Sequence, residues 1–252
     1  MFKDELNKLT SYSPSHRFGD GKYPICIDWN EGPFDLPKDL QIMLMEHVKR
    51  HGLNRYPGIS EHSVERRLVE SLGVACGSVA LYNGSDSALQ ELLSCLVWNG
   101  RRVFYVEPEY SQSYQFAQLY GGDLNLVRPE DVFSKYDTVA GLGLTGLDVL
   151  YLSNPCNPTG SLIPVEKIEQ ILKTGVCLIL DEAYIDFTNC TAVALTKNYQ
   201  NLFVLRTFSK AFGLAGLRAG YVCSNPENIR EINKVRNVKQ VTDAARIGIL
   251  WS

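Results

Sequence analysis

Lys210 is the side chain whose type and surroundings most clearly indicate chemistry. It lies in the segment TFSKAFG, residues 207–213, after two hydroxyl side chains and before small or apolar ones. A lysine becomes nucleophilic when burial or a nearby cation lowers its pKa, and it can then form a Schiff base with an aldehyde cofactor. A solvated lysine in a surface loop explains this short segment more simply, so the interpretation depends on the other polar residues of the chain.

Asp181 is the second candidate, because it ends an apolar segment that begins at Val176. A carboxylate is costly to bury unless it has a cationic partner. A protonated pyridine nitrogen would be such a partner, and its positive charge would let the ring act as an electron sink. The alternative is that Asp181 only caps the following helix. Tyr184, in the same segment DEAYIDF, could donate a hydrogen bond to the phenolic oxygen of such a cofactor.

Two turn segments supply further polar groups. In NPCNPTG, residues 154–160, two prolines and a glycine fix a rigid turn, which needs no function of its own. The same rigidity would serve to aim the amide of Asn157 at the phenolic oxygen. In NGSDSAL, residues 83–89, Ser85 and Asp86 open a helix after a strand. The unpaired N–H groups there suit a phosphate, although an ordinary helix cap is the simpler interpretation.

Arg218 lies in the segment GLRAG, residues 216–220, soon after Lys210. Its guanidinium would neutralise a phosphate, and the glycines on either side would let the backbone approach closely. Each of these segments alone is weak or moderate evidence for a cofactor site. Their occurrence in this order along one chain makes the combination specific for such a site.

Short apolar segments alternate with helical patterns over most of the chain, and this alternation positions the candidate residues. The pattern predicts an α/β fold, a three-layer αβα sandwich with a mainly parallel central sheet. Ligands bind such sheets at the carboxyl ends of the strands, where the candidate segments fall. The predicted strands are Ser78–Tyr82, Arg102–Val106, Leu124–Val127, Val149–Ser153, Val176–Asp181, Leu202–Thr207 and Ala219–Cys223. The predicted helices are Ser85–Val97, Tyr110–Tyr120, Val165–Lys173 and Pro226–Val238.

The two ends of the chain suggest a division into domains. Tyr12–Phe34 is irregular and precedes an amphipathic helix from about Pro37 to Arg50. We therefore expect residues 1–50 to form an N-terminal arm and part of a small domain, and residues 51–252 to form a large domain. Thr242–Trp251 is typical of the opening of a helix with no closing element after it. We expect a truncated sequence, without a C-terminal small domain.

Composition excludes several classes of function. The net charge is −3 and the basic residues are scattered, which argues against a nucleic-acid partner. The segment MFKDELNKLT is not a signal peptide, and no stretch approaches the roughly 18 apolar residues of a membrane span. Seven cysteines without a C-x-x-C pair favour reduced thiols in the cytoplasm. His47 and His51 have metal-ligand spacing, but no third ligand motif follows, so we expect no metal site.

The segments NPCNPTG, DEAYIDF and RTFSKAFGLAGLRAG resemble fold-type-I aminotransferases, which use pyridoxal 5'-phosphate. Within these the sequence is most similar to the histidinol-phosphate aminotransferase family. NEGPF at 30–34, NRYPG at 54–58 and EPEYSQSY at 107–114 match the N-terminal pattern of that family. The resemblance extends from about Tyr12 to the end of the chain and implies the fold-type-I architecture.

The resemblance implies a role for each candidate residue. Lys210 would bind the cofactor covalently and, once released, carry a proton between the substrate α-carbon and C4′ of the cofactor. Asp181 would hold the pyridine nitrogen. Asn157 and Tyr184 would hold the phenolic oxygen, and Tyr110 would stack on the ring. The phosphate would be bound by the backbone of Ser85 and Asp86, by Thr207 and Ser209, and by Arg218.

The resemblance also implies a partner and a reaction. Tyr56, in the NRYPG segment, would reach the cofactor phosphate of a second subunit, so we expect a homodimer. The reaction would transfer an amino group from an amino-acid donor, expected to be glutamate, to a small phosphorylated carbonyl acceptor. The reaction for which the family is named interconverts histidinol phosphate and imidazole-acetol phosphate in histidine biosynthesis. The alternatives are an amino-acid-phosphate decarboxylase, such as the threonine-phosphate decarboxylases of cobamide synthesis, and an inactive truncated homologue.

Two departures from the family pattern bear on this prediction. Family members carry, in the small domain that this chain does not reach, an arginine that binds the carboxylate of the amino acid. If the sequence is complete as given, we expect it to lack this part of the amino-donor site, whereas the cofactor motifs are intact. The central turn also has Cys156 where an asparagine is common, which we interpret as a tolerated variation because Asn157 carries the expected role.

Overall fold

The computed structural model describes residues 28–98, 100–130 and 135–252, together with residues 6, 7 and 9. Seven strands form one sheet, and each predicted strand is present with its ends shifted by at most one residue. The strands are β1 (Val79–Asn83), β2 (Arg102–Val106), β3 (Asp123–Val127), β4 (Val149–Ser153), β5 (Cys177–Asp181), β6 (Leu202–Thr207) and β7 (Ala219–Ser224).

Eight α-helices in the described ranges connect and flank these strands. None of them has the length and apolar composition needed to cross a membrane. Their bounds are α1 (Lys38–His51), α2 (Glu61–Leu72), α3 (Gly84–Leu96), α4 (Ser111–Leu119), α5 (Lys135–Ala140), α6 (Val165–Leu172), α7 (Pro226–Ile232) and α8 (Asp243–Trp251).

The sheet order is β1-β7-β6-β5-β4-β2-β3. Strand β7 is antiparallel to both β1 and β6, and every other pair is parallel. The prediction of a mainly parallel sheet is therefore confirmed. Because six strands run in the same direction, their carboxyl ends meet at one edge, where the predicted site segments converge.

Alternating side chains give the sheet an apolar core on each face. In β1, Val79 and Leu81 belong to one buried cluster, whereas Ala80 and Tyr82 belong to the other. Helices α3, α4 and α7 cover the second face, and α1, α2, α6 and α8 pack on the first. This period of two over a sheet that is covered on both sides produces the three-layer sandwich.

The sequence pattern did not predict helices α2 and α5, and the predicted length of α7 was wrong. Helix α2 is charged along much of its surface, but Val64, Leu68 and Val69 are buried. Helix α7 ends at Ile232 and not at Val238 as predicted. Beyond it, the guanidinium of Arg236 is buried and donates to the carbonyl oxygen of Leu81 at 3.0 Å. A contact with a distant strand therefore ends this helix, and no local sequence signal encodes that contact.

Asp243, the first residue of α8, connects this helix to α1 and to the segment that follows α1. The Asp243 carboxylate accepts hydrogen bonds from the backbone N–H groups of Gly58 (2.9 Å) and Ile59 (3.0 Å). It also lies 3.1 Å from Nε2 of His47. The division at residue 50 remains a prediction. The predicted irregular segment Tyr12–Phe34 lies outside the described residues as far as residue 27.

Candidate active site

A cavity of about 860 Å³ opens at the carboxyl edge of the sheet, against the start of α3. Ten of the predicted site residues line it, although they come from segments far apart in the sequence. These ten are Ser85, Asp86, Tyr110, Asn157, Asp181, Tyr184, Thr207, Ser209, Lys210 and Arg218. Tyr56 lies elsewhere: its ring is 74% exposed and packs under Nζ of Lys239 at 4.5 Å.

Lys210 is partly buried beside the N-terminal segment. Its Nζ donates to the carbonyl oxygen of Trp29 at 2.7 Å and lies 5.7 Å from the centre of the Tyr184 ring. Burial lowers the pKa of Lys210, although the nearby carboxylates of Asp86 and Glu31 oppose the shift. A lowered pKa increases the fraction of neutral, nucleophilic amine, which is the property that a covalent attachment to an aldehyde requires.

Asp181 ends β5 inside the cavity wall and is almost fully buried. One carboxylate oxygen accepts from the hydroxyl of Tyr151 at 2.7 Å, and the other accepts from the backbone N–H of Ala183 at 3.0 Å. Burial raises the pKa of Asp181 to about 6, and these two hydrogen bonds oppose the shift. Sequence analysis missed Tyr151, although its place two residues before the end of β4 puts it on the same strand face as Ser153.

The start of α3 forms the opposite wall of the cavity. No side chain caps the N-terminus of this helix, so its first N–H groups are available to a ligand. Asp86 accepts a hydrogen bond from the Tyr110 hydroxyl at 3.0 Å, and its other oxygen lies 3.3 Å from Nη2 of Arg218. Arg218 has a φ of 52°, the left-handed conformation that brings its side chain over the helix end.

Two glycines allow this close packing. A Cβ on Gly84 would lie 2.5 Å from Nη2 of Arg218, and Gly84 itself has a φ of +81°. A Cβ on Gly220 would lie 2.7 Å from the backbone N of Ser85. The backbone at Ser85 cannot move aside, so glycine is required at residue 220 for β7 and α3 to meet. At residue 84 the end of the Arg218 side chain could move, and the left-handed φ is what favours glycine there.

Thr207, the last residue of β6, and Ser209 form a compact hydrogen-bonded turn that lines the cavity. The Thr207 hydroxyl donates to Oγ of Ser209 at 3.0 Å, and the backbone N–H of Ser209 donates back to Oγ1 of Thr207 at 3.1 Å. Both residues are buried. The turn therefore holds two hydroxyl groups next to Lys210.

The NPCNPTG turn brings Asn157 to the cavity, opposite Tyr184. The peptide bonds before Pro155 and Pro158 are both cis. The backbone N–H of Asn157 donates to Oγ of Ser153 at 3.2 Å. The Tyr184 hydroxyl accepts from Nδ2 of Asn30 at 2.9 Å. Both residues line the same cavity and carry polar groups suited to a ligand oxygen.

The arrangement fits pyridoxal 5'-phosphate. None of the ion pairs among the described residues includes Asp181, so its buried carboxylate offers a place for a cationic pyridine nitrogen. Across the cavity, Arg218 and the uncapped start of α3 provide the positive charge and N–H groups that a phosphate needs. Lys210 supplies the amine for an aldehyde.

The fold and the cavity together define a pyridoxal-phosphate-dependent enzyme of fold type I. The chain belongs to the aminotransferase class I and II family, whose sequence profile matches residues 24–247. A histidinol-phosphate aminotransferase of Pyrococcus furiosus is 33% identical over 229 residues, which are 90% of this chain and 67% of the relative. The chain thus spans about two thirds of the length of such relatives.

Solved structures agree with this assignment. A histidinol-phosphate aminotransferase of Sinorhizobium meliloti, solved in complex with pyridoxal-5'-phosphate, superimposes with a TM-score of 0.76 and 26% identity. The match covers 89% of this chain and 63% of that one. An L-threonine-O-3-phosphate decarboxylase of Porphyromonas gingivalis gives a TM-score of 0.70 at 22% identity, covering 84% of this chain and 64% of that one. The second likeness shows the fold alone.

The contact between β7 and α3 leads to a prediction. Replacing Gly220 by alanine puts a methyl group against backbone atoms of Gly84 and Ser85, which cannot move as a flexible side chain would. We expect a loss of about 1–3 kcal/mol in the free energy of unfolding and weaker binding of pyridoxal phosphate. Urea denaturation and a cofactor titration measure the two effects. Gly141→Ala is the control, because its new Cβ would meet no atom closer than 3.5 Å. Equal behaviour of the two variants would contradict the prediction.

Proposed function

We propose that this protein transfers an amino group from an amino-acid donor, glutamate in the first instance, to a small phosphorylated carbonyl acceptor. The observation that carries the proposal is the meeting of Lys210, Asp181 and the open start of α3 around one cavity. The relatives named above as histidinol-phosphate aminotransferases support this substrate class.

Pyridoxal phosphate, when bound, supplies a cationic ring that withdraws electrons from the bond to be broken. The residues of this chain orient the reactants and move the proton. The Asp181 carboxylate holds the positive charge at the pyridine nitrogen, in a buried position where that attraction is strong. The Asn157 amide and the Tyr184 hydroxyl orient the phenolic oxygen. Tyr110 covers one face of the ring.

Lys210 acts as the acid and base of the reaction in this proposal. Its Nζ takes the proton from the α-carbon of the amino donor and later returns a proton to the product. The lowered pKa of Lys210 favours this role because a neutral amine is needed to accept the proton. The phosphate is held by the backbone N–H groups of Ser85 and Asp86, by the hydroxyls of Thr207 and Ser209, and by Arg218.

Product analysis tests the proposed reaction. The protein is incubated with pyridoxal phosphate, glutamate and imidazole-acetol phosphate, and the amine product and 2-oxoglutarate are quantified. Transamination predicts that the two products form in equal amounts and that no carbon dioxide is released. Release of carbon dioxide from an amino-acid phosphate such as threonine phosphate would replace this proposal by a decarboxylase. A chain that binds the cofactor but gives neither product would be an inactive relative.

We also propose a homodimer in which Tyr56 contributes to the cofactor site of the second subunit. Large apolar side chains are exposed on α1 and in the segments on either side of it, and a contiguous exposed apolar surface is typical of an interface. They include Phe34 (87%), Leu53 (81%), Tyr56 (74%), Met45 (56%) and Ile42 (51%). A second copy of the chain would cover this surface and bring its own Tyr56 toward the neighbouring cavity.

The dimer gives a separate prediction. Leu53→Asp should convert a dimer into a monomer in sedimentation experiments, because a charge would be buried in the interface. Leu147→Asp is the matched control, since Leu147 is 80% exposed in another part of the molecule. Tyr56→Phe should leave the dimer intact and weaken pyridoxal phosphate binding about tenfold, the effect of one lost hydrogen bond to a charged group. A parent chain that sediments as a monomer would rule out the shared site.

We also propose that the protein is located in the cytoplasm. The six cysteines in the described residues are free thiols, and three of them, Cys156, Cys177 and Cys223, are buried. Free thiols are the state that a reducing compartment maintains.

A further inference from the structure

A buried ion pair lies directly behind the NPCNPTG turn. Nζ of Lys135 in α5 is 2.6 Å from Oε1 of Glu109, and the two side chains are 1% and 0% exposed. Such a pair contributes little net stability compared with apolar residues of the same volume, because both charges must be removed from water. The role of the pair must therefore lie in the neighbouring groups that it holds in place.

Glu109 connects the ion pair to the turn through one intermediate residue. Its carboxylate accepts the hydroxyl of Ser153 and also the backbone N–H of Ser153, which is 3.2 Å from each oxygen. Since the Ser153 hydroxyl donates to Glu109, its lone pairs are free to accept the backbone N–H of Asn157 at 3.2 Å. An unbroken chain of hydrogen bonds thus runs from Lys135 to Asn157.

The same pair holds the neighbouring walls of the cavity. Nζ of Lys135 donates to the carbonyl oxygen of Pro108 at 2.6 Å, and that oxygen also lies 3.4 Å from the thiol of Cys156 in the turn. Glu109 itself lines the cavity and immediately precedes Tyr110. Ser153 is paired in register with Asp181 across β4 and β5. Through Ser153, Pro108 and the chain connection to Tyr110, the pair is therefore linked to the turn, to Tyr110 and to the strand end that carries Asp181.

We propose that Glu109 and Lys135 are positioning residues for cofactor binding. The fixed carboxylate orients the Ser153 hydroxyl, the hydroxyl holds the backbone of Asn157, and the turn then presents the Asn157 amide to the phenolic oxygen of the cofactor. This inference rests on the proposed function, because it assigns the pair a purpose only if pyridoxal phosphate occupies the cavity. Neither residue touches the reacting atoms.

The test measures pyridoxal phosphate affinity by absorbance titration, with the free energy of unfolding as a parallel measurement. Glu109→Leu/Lys135→Met removes both charges together, so neither is left buried and unpaired. We expect it to fold and to bind pyridoxal phosphate about tenfold more weakly, the effect of one lost charge-assisted hydrogen bond. Glu109→Gln/Lys135→Met retains an acceptor for Ser153 and should recover most of the affinity. A purely space-filling role would make the two double variants equal.

A control variant and an alternative variant separate a loss of positioning from a general loss of stability. Arg102→Met/Asp148→Leu removes an ion pair at the amino ends of β2 and β4, at the opposite edge of the sheet, and should leave the affinity unchanged. If the leucine variant does not fold, Ser153→Ala breaks the same connection and should also lose about tenfold. Unchanged affinity in the folded leucine variant, or in Ser153→Ala, would overturn the inference. A parent chain that does not bind pyridoxal phosphate would instead remove the proposed function.

Discussion

Replacing Lys210 by alanine is expected to abolish the visible absorption band that pyridoxal phosphate gives when bound to the parent chain. In the proposed function, the variant loses both the amine that attaches the cofactor and the group that accepts the proton from the substrate. Removal of a general acid and base alone costs on the order of 10⁴-fold in rate at its upper range. We therefore expect turnover to fall by about that factor or more, which is the largest effect among the variants considered.

The variant should remain folded, because Lys210 is only partly buried and its Nζ contacts carbonyl oxygens of the N-terminal segment and not the core. Thermal unfolding and far-UV circular dichroism of the apo protein check this point. Lys173→Ala is the matched control, since Lys173 is 60% exposed and its one ion pair among the described residues is with Glu169, four positions earlier. A band of parental intensity in Lys210→Ala would show that another amine binds the aldehyde.

Replacing Asp181 by asparagine is expected to have the second largest effect, a loss of about 10²–10³-fold in turnover, as found when one preorganised electrostatic partner is removed. Asparagine has nearly the same shape. Its amide oxygen can still accept the N–H of Ala183, and its NH2 group can donate to the hydroxyl oxygen of Tyr151 in place of the bond that Asp181 accepts. The main loss is the negative charge that the proposed function places opposite the pyridine nitrogen. Kinetic measurements at saturating cofactor separate this effect from weaker binding.

The raised pKa of Asp181 also predicts how pH affects stability. Burial raises this pKa from 3.8 to about 6, so the folded chain binds the proton more tightly than the unfolded chain. Without cofactor, the contribution of Asp181 to the free energy of unfolding therefore falls as pH rises through this interval. A cationic ring nitrogen favours the carboxylate form. The stabilisation provided by pyridoxal phosphate should consequently be larger above pH 6 than below it.

Thermal unfolding with and without pyridoxal phosphate, at about pH 5 and about pH 8, measures this dependence. The difference between the parent and Asp181→Asn isolates the part that Asp181 contributes, because the cofactor has ionisations of its own. Tyr151→Phe is the matched control: it removes the hydrogen bond to Asp181 but keeps the carboxylate, so the pH dependence should remain. The same pH dependence in Asp181→Asn as in the parent would show that this aspartate does not face the ring nitrogen.

Much of the fold was predictable because the determining signals are local. Each strand is an apolar segment with a period of two, and a sheet covered on both faces buries both sets of side chains, as Val79 and Ala80 do on opposite sides of β1. Two helix starts are also fixed by local contacts, because Asn225 accepts the N–H of Glu227 before α7 and Thr242 accepts the N–H of Ala245 before α8. The end of α7 was not predictable, because it depends on the contact of Arg236 with Leu81.

The site was predictable to the extent that its residues belong to recognisable short segments. Lys210 and Asp181 each follow an apolar strand, and that position alone predicts that they meet at one edge of the sheet. Tyr151 and Glu109 were missed for different reasons. Tyr151 looks like an ordinary core residue of β4, and Glu109 looks like a solvated charge until Lys135, from a helix that was not predicted, is placed beside it.

The sequence by itself determined the class of fold, the order of the strands along the chain and the candidate residues that line the cavity, because apolar periodicity, turn residues and strand-end polar groups act over a few positions. Only the tertiary structure decided which side chains support the site. The closeness of Gly220 to Ser85, the ion pair of Glu109 with Lys135 and the hydrogen bond of Tyr151 to Asp181 all join segments far apart in the chain. Such contacts depend on how the layers pack, and no short stretch of sequence specifies that packing.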